Sequence, residues 1–316
     1  MALGTIGGNG RTTARVEQEI FSQGKDLKGS SFKTLMFSAL GVSVAILVVL
    51  IVDVLIDGWP VLTSRLPDFL AGTLRSQSTD QLLGISQGLA GSLWIAIFVI
   101  ALSFPIGIAA AIYLEEYATQ GRLTSAIDIA IRNLAGVPSV VYGLLGLFLF
   151  VSTNNDESSL FAGGLTLAIL VLPIVVITSA EAIRAVPSSL KQGAYGVGAT
   201  KWDVVRTQVL PFAAPGILTG TLLSLSRAIG EAAPLILVGA ITGRLAPRDR
   251  SIFSLEQLDD RFTAMPIVIV GWIQESARDV GFAPAAGAAI VVLLVVVIAM
   301  NSVAVLLRSY FERKRG

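Results

Sequence analysis

The stretch from residue 91 to residue 114 reads GSLWIAIFVIALSFPIGIAAAIYL and contains no charged side chain. A helix rises 1.5 Å per residue, so this stretch would extend for about 36 Å. That is longer than the roughly 30 Å hydrocarbon core of a bilayer. Pro105 lies inside it, and prolines are tolerated in membrane helices because neighbouring helices can satisfy the freed carbonyl. We therefore expect a transmembrane helix here.

Five further segments have a similar length and composition. They lie at 35–57, 130–151, 161–183, 214–239 and 284–307. The segment 130–151 is interrupted by glycine and proline. Together the six segments predict an all-α membrane protein with six transmembrane helices.

The composition supports that class. Hydrophobic residues make up 53% of the 316 residues, charged residues only 14%, and the mean hydropathy is +0.76. Soluble domains carry about 25% charged residues. We therefore expect a multi-pass membrane protein, with the lipid bilayer as a partner and no nucleic-acid partner.

The residue types argue against catalysis. Cysteine and histidine are absent, which excludes disulfides, most zinc sites and the commonest general base. A phosphate-binding G-x-x-x-x-G-K-[ST] loop is absent too. Glu115 and Glu116 are neighbours at a predicted membrane edge, and we expect a solvated helix end there. We therefore predict that the chain is not an enzyme and binds no metal or cofactor itself.

The basic residues give the predicted orientation. Fifteen of the 23 lie on one set of flanks and seven on the opposite set, and cytoplasmic flanks carry the excess of Lys and Arg. The larger set comprises Arg11, Arg15, Lys25, Lys28, Lys33, Arg122, Arg132, Arg184, Lys191, Lys201, Arg206, Arg308, Arg313, Lys314 and Arg315. Both termini are therefore expected in the cytoplasm, as an even helix count requires.

The same pattern divides the chain into regions. We predict a polar N-terminal tail (1–30), a first transmembrane helix with an external loop (31–85), a core (86–310) and a basic C-terminal tail (311–316). The core includes a cytoplasmic loop at 187–211 and an external loop at 240–283. Within the external loop, FTAMPIVIVGWIQ (262–274) is too short to span and forms either a re-entrant or interfacial helix or a covered loop.

The cytoplasmic loop reads PSSLKQGAYGVGATKWDVVRTQVLP. Thr200 with Asp203 three residues later predicts a capping box at a helix start. Trp202, Val205 and Val209 then fall on one helix face, and Pro211 is expected to end the helix. The apolar face either enters a groove in a partner or packs on the protein's own helix ends.

The remaining basic residue is Arg227, which lies inside the fifth segment with Glu231 four residues later. An arginine within a membrane helix costs roughly 2.5–3.5 kcal/mol, and such residues usually face a bundle interior or a wet cavity. Positions i and i+4 can touch, so a self-neutralising pair is one interpretation. The other is that Arg227 lines a pathway for an anion, because a guanidinium presents a fork of donors suited to phosphate oxygens.

The cytoplasmic loop resembles that of permeases of ATP-binding-cassette (ABC) importers. In their pattern E-A-A-x(3)-G-x(9)-I-x-L-P, Gln192, Gly193 and Ala194 fall on the first three positions. Gly198 falls on the glycine, and Leu210 and Pro211 fall on the final pair. Three side chains differ from the pattern, Gln192, Gly193 and Gln208. A role in coupling to an ATPase, with Trp202 and Val205 on the contact face, is what this resemblance implies.

Other motifs are similar to the phosphate-specific permeases of that class. They are AGVPSVVYGLLGLFLFV in the third segment, SRAIGEAAPLILVGA in the fifth, YLEEYA at 113–118 and FTAMPIVIVGWIQ at 262–274. The resemblance implies a MetI-like importer permease fold and a location in a bacterial inner membrane. It also implies a heterodimer with a second permease, two copies of an ATPase that uses ATP and Mg²⁺, and an extracytoplasmic phosphate-binding protein.

The predicted function is thus import of inorganic phosphate, with Arg227 and Glu231 on the substrate pathway. Import of another oxyanion, such as molybdate or phosphonate, is the nearest alternative because any tetrahedral oxyanion suits the guanidinium fork. An ATP-independent channel or carrier is a further alternative.

Overall fold

The computed structural model describes residues 27–119, 121–152, 158–241, 258 and 260–313. The predicted polar tail lies outside the described residues up to position 26, and so do positions 314–316 of the basic tail. In the described part the regular elements are helices, with one isolated bridge between Thr73 and Leu83. The helices are α1 (Leu27–Ser64), α2 (Leu66–Ala71), α3 (Ser86–Tyr117), α4 (Arg122–Ala135), α5 (Ser139–Val151), α6 (Leu160–Arg184), α7 (Ser188–Gly196), α8 (Lys201–Ile229), α9 (Ala233–Leu237), α10 (Met265–Glu275) and α11 (Phe282–Arg313).

The chain divides at Asp53 into two compact units. In the first unit, the described side chains of α1 from 29 to 53 are all exposed. Apolar residues occur on every side of this helix, as expected of a membrane span rather than of a surface helix in water.

The predicted membrane spans are largely confirmed. In the described residues, five helices are long and apolar enough to cross a membrane, or six if one bent pair counts as a single span. The segments predicted at 35–57, 91–114, 161–183 and 284–307 lie within α1, α3, α6 and α11.

The third predicted segment is not one straight helix. Residues 130–151 belong to α4 and α5, which meet at 97° around Gly136, Val137 and Pro138. Proline has no N–H and disfavours helical backbone in the residue before it, so the chain turns here. The predicted start at residue 130 is therefore wrong, because α4 begins at Arg122 and α5 only at Ser139.

The fifth predicted segment is also broken. Its helix, α8, begins at Lys201 in the loop region and ends at Ile229, ten residues before the predicted end at 239. Pro211 does not end the helix as expected. It follows a wide π turn, Val205–Val209, and lies near the start of the α-helical part that continues to Ile229.

Helix α8 packs closely on α6 through small residues. A Cβ added to Gly216 would lie 2.8 Å from the Cβ of Ala182, and one added to Gly220 would lie 2.6 Å from the Cβ of Thr178. Gly216 and Gly220 therefore serve packing within the chain. Ser226 Oγ donates a 2.6 Å hydrogen bond to Asn301 Oδ1 and joins α8 to α11.

The short apolar stretch in the external loop forms α10, a helix that the chain itself covers. Its residues from Met265 to Ile269, together with Gly271 and Trp272, are buried. Trp272 lies between the rings of Phe69 and Phe282, at centroid distances of 5.9 and 6.3 Å. Of the two alternatives for 262–274, the structure thus gives a helix rather than a plain loop.

Candidate functional site

Arg227 lies close to the middle of the predicted membrane. Helices α8 and α6 are antiparallel, and the contacts at Gly216 and Gly220 fix their register. Continuing that register places Arg227 level with Val171 of α6. That level is about 20 Å from Arg184 and about 16 Å from Leu160, the two ends of α6.

Arg227 belongs to the last turn of α8, and Glu231 lies beyond the end of the helix. The N–H groups of Gly230 and Glu231 donate to Arg227 O and Ala228 O, both at 3.1 Å, and the chain then turns. Arg227 Nε lies 3.4 Å from Glu231 Oε1. The predicted contact is thus present, but the expectation that both residues occupy one helix is wrong.

The guanidinium does not face the interior of the bundle formed by this chain. The side chain of Arg227 is 66% exposed and that of Glu231 is 20% exposed. Leu223, one turn before Arg227 on α8, is exposed as well. The end of a helix favours a cation, because its unpaired carbonyls carry partial negative charge.

The two interrupted segments of the chain pack on each other. A Cβ added to Gly143 of α5 would lie 2.7 Å from Cα of Pro234 and 2.8 Å from a methyl group of Leu237, both in α9. Glycine is thus needed at position 143 for this approach. Interrupted membrane segments with irregular backbone occur where they are buried in protein or line a cavity.

The break after α8 is a feature that sequence reasoning missed. Gly230 and Pro234 were both visible in the sequence, and a glycine followed by a proline is a signal for the end of a helix. The residues on both sides of the break are mostly apolar, and the hydropathy of a segment does not show whether its helix is continuous. In the described residues, no group of three acidic side chains could hold a metal ion.

Within the loop at 187–211, helix α7 is joined to the start of α8 by a short connection around Gly198. Helix α7 ends at Gly196, and Gly198 has a φ of +84°, which glycine adopts without the steric cost that a Cβ brings. The Thr200–Asp203 capping box is confirmed. Thr200 N–H donates to Asp203 Oδ2 at 3.1 Å, and Asp203 N–H donates to Thr200 Oγ1 at 3.3 Å.

The residues assigned to the coupling face divide into two groups. Gln192, Gly193, Gly198, Trp202 and Pro211 are exposed, whereas Ala194 and Leu210 are half-buried and Val205 is buried. Trp202 is 56% exposed and Val205 is 0% exposed. Of the two alternatives for this face, both valines follow the second, because Val205 and Val209 are buried within the chain itself, whereas Trp202 is exposed.

The pair Glu115 and Glu116 is not a solvated helix end. Glu115 accepts a hydrogen bond from Arg184 Nε at 3.2 Å, and Glu116 forms an ion pair with Lys191 of α7. Glu116 is only 9% exposed. Sequence reasoning missed this contact, because Lys191 lies 75 residues further along the chain.

Comparison with known proteins identifies the family. Residues 103–315 match the model for the binding-protein-dependent transport system inner membrane component. "Phosphate transport system permease protein PstA 1" of Mycobacterium tuberculosis (strain ATCC 25618 / H37Rv) is 33% identical over 291 residues, covering 92% of this chain and 90% of the relative. "Phosphate transport system permease protein PstA" of Mycobacterium leprae is 34% identical over 231 residues, 72% of each chain.

Solved structures support the fold. A bacterial alginate ABC transporter, solved with its alginate-bound periplasmic protein, has a chain that is 15% identical, with a TM-score of 0.58 over 88% of this chain and 94% of that one. A chain of the inward-facing MetNI methionine ABC transporter is 17% identical, with a TM-score of 0.53 over 72% of this chain and 94% of that one. The predicted MetI-like permease fold is confirmed, and this chain belongs to the inner-membrane component family of binding-protein-dependent transport systems.

Proposed function

We propose that this chain translocates inorganic phosphate into the cytoplasm as one permease of an ABC importer. A second permease completes the pathway as a heterodimer, and an extracytoplasmic phosphate-binding protein delivers the anion. A pair of ATPase subunits, which use ATP and Mg²⁺, drives transport through the loop at 187–211.

The position of Arg227 carries this proposal. A cation at the middle of a bilayer costs roughly 2.5–3.5 kcal/mol if it faces lipid. Arg227 is two-thirds exposed on the surface of this chain at that depth. The cost of placing the Arg227 cation there is lowest if this face of α8 borders water or another subunit. A water-accessible pathway shared with a second permease would provide both surroundings.

The contact between Arg227 and Glu231 favours transient rather than permanent binding of phosphate. An unopposed guanidinium at low dielectric would hold phosphate strongly, and conduction requires binding weak enough for release. The 3.4 Å contact to the Glu231 carboxylate lets the anion compete for the fork without binding permanently. Relatives named as phosphate permeases at 33% and 34% identity support phosphate over other oxyanions.

The loop provides a surface for an ATPase. Trp202 is exposed and held in place by the capping box at the start of α8. Aromatic side chains dominate the binding energy of interfaces when they enter a partner pocket. Because α8 runs without a break from Lys201 to Ile229, a displacement at Trp202 can reach Arg227 along one helix.

The test is uptake of radiolabelled phosphate by proteoliposomes that contain the complete transporter, with the binding protein added outside. Unlabelled phosphate, sulfate, molybdate and a phosphonate are supplied as competitors at equal concentration. We expect only phosphate to compete strongly, and Arg227→Gln to abolish uptake while the subunits still co-purify. Arg278→Gln is the matched control, because Arg278 is exposed beside Glu275 in the external region.

Preferred competition by molybdate or a phosphonate would assign the chain to another oxyanion. Normal phosphate uptake by the Arg227→Gln complex would remove Arg227 from the pathway. Phosphate flux in the absence of ATP and of the ATPase would favour a channel or carrier.

A further inference from the structure

Three consecutive residues at the end of α3 each contact a different basic residue around the loop at 187–211. Glu115 pairs with Arg184 at the end of α6, and Glu116 pairs with Lys191 in α7. The ring of Tyr117 lies 5.1 Å from Lys201 Nζ, at the start of α8. We name Glu115, Glu116 and Tyr117 the anchor strip.

The backbone explains how neighbouring residues reach separate partners. Residues Tyr113–Tyr117 form a π turn, and the chain becomes extended at Ala118. Successive side chains on a helix point in different directions, so three in a row fan out around the helix end. The strip therefore contacts Arg184, just before the loop, and Lys191 and Lys201 within it.

Glu116 and Lys191 form the most buried of these contacts. The side chain of Glu116 is 5% exposed and that of Lys191 is 24% exposed. A pair shielded from water is screened little by salt, and removing one partner leaves an uncompensated buried charge. By contrast, the Arg184 side chain is mostly exposed.

The loop also carries exposed apolar side chains, those of Tyr195, Val197 and Trp202. The strip lies at the end of α3, which packs closely on α6, since a Cβ added to Gly107 of α3 would lie 2.6 Å from a methyl group of Val175 in α6. A displacement of the loop can thus reach α3 through the two ion pairs and the Tyr117–Lys201 contact.

We propose that the anchor strip transmits displacement of the loop to the second membrane span, with the Glu116–Lys191 pair as its central contact. These are positioning residues that act through the loop. The inference rests on the proposed coupling of the loop to an ATPase and does not depend on the identity of the transported anion.

The experiment measures movement of α3 in the complete transporter. The chain has no cysteine, so two introduced cysteines can be spin-labelled selectively within it. Labels at Ile106 on α3 and Val295 on α11, both exposed, report the distance between the two helices with and without ATP. We expect ATP to change this distance in the otherwise unmodified transporter and Glu116→Gln to suppress the change.

A second readout is phosphate imported per ATP hydrolysed. Glu116→Gln should lower this ratio by about fivefold or more, within the range of measured couplings between sites, while basal ATP hydrolysis persists. The charge exchange Glu116→Lys with Lys191→Glu should restore both readouts. Glu275→Gln is the control, since it removes a carboxylate paired at 3.8 Å in the external region.

The proposal would be overturned if Glu116→Gln showed the same ATP-dependent change in distance as the parent transporter. Loss of assembly in both Glu116→Gln and the charge exchange would overturn it too, by assigning the pair to folding alone. If Glu116→Gln suppresses the ATP-dependent distance change but the parent complex imports no phosphate, the proposed substrate is contradicted and the anchor strip remains supported.

Discussion

Arg227 and Glu231 are joined across the end of a helix, with Nε and Oε1 3.4 Å apart and the last helical residue, Ile229, between them. Because Glu231 lies on the turn and not on the helix, its carboxylate can move without unwinding α8. The pair therefore combines a cation on the helix with a carboxylate on the turn that follows it.

Replacing Glu231 with glutamine should make the pathway bind phosphate more tightly and release it more slowly. The amide keeps the size of the side chain but removes the charge that competes for the guanidinium. We expect the KM for phosphate and the maximal rate of uptake to fall together, as for a change that favours the bound state. Initial rates across a phosphate series check this, and a raised KM with an unchanged maximal rate would contradict it.

Glycine at position 220 should be required for the packing of α8 on α6. A Cβ added there would lie 2.6 Å from the Cβ of Thr178, so Gly220→Ala must displace one helix. Overpacking of this kind costs about 1–3 kcal/mol. Thermal unfolding of the purified complex in detergent should show a lower midpoint.

The control for that variant is Gly41→Ala. Nothing lies within 4 Å of a Cβ added to Gly41 of α1. Alanine is the better helix former, so this change should leave the midpoint equal or slightly higher. An equal fall in both variants would mean that the contact with Thr178 is not the cause.

Much of the fold could be predicted, because a helix that crosses the hydrocarbon core of a bilayer must be long and apolar. Four of the six predicted spans lie within observed helices, and the capping box at Thr200 was visible because it needs only four consecutive residues. The breaks near Pro138 and Gly230 were not predicted, because apolar residues continue through both.

The site was predicted less completely, for two physical reasons. The Glu116–Lys191 pair depends on tertiary packing, and no local pattern reveals a contact 75 residues away. The π turn from Val205 changes the angular spacing of side chains, so a face drawn with 3.6 residues per turn groups the exposed Trp202 with the buried Val205 and Val209.

Replacing Gly198 should disturb the loop, whereas replacing Gly193 should not. Gly198 has a φ of +84°, and a side chain in that conformation costs roughly 1–2 kcal/mol. Gly193 lies within α7 with open space around it. We expect Gly198→Ala to increase proteolytic cleavage in the loop and to lower ATP-dependent uptake, and Gly193→Ala to match the parent. Equal behaviour of the two variants would contradict this expectation.

Trp202→Ala should weaken binding of the ATPase, whereas Val205→Ala should lower the stability of the chain. Trp202 is 56% exposed, so its loss should weaken ATPase binding by roughly 2 kcal/mol or more without lowering the unfolding midpoint. Val205 is fully buried, so its truncation should destabilise the chain by roughly 1–3 kcal/mol. Titration of the permease with the purified ATPase and thermal unfolding measure the two effects. A destabilised Trp202→Ala chain with normal ATPase affinity would assign Trp202 to folding.

The contact between Asp279 and Ser78 should make the segment 73–85 sensitive to acid. Ser78 N–H donates to Asp279 Oδ2 at 3.2 Å, and Gly281 N–H donates to Oδ1 at 3.0 Å. Hydrogen bonds from the Ser78 side chain and then from its backbone lower the pKa of Asp279. A carboxylate with a lowered folded-state pKa stabilises the fold above its unfolded pKa of about 4, and this contribution is lost as pH falls through the lower folded value.

Hydrogen exchange in residues 73–85, corrected for the intrinsic effect of pH, provides the test. We expect protection of this segment to fall below about pH 4 in the parent chain. In Asp279→Asn, protection should already be lower at neutral pH and should change less on acidification. The difference between the two chains is the quantity to compare, because both carry the same Arg75–Asp80 contact of 3.6 Å in this segment. Identical pH profiles would show that Asp279 does not hold the segment.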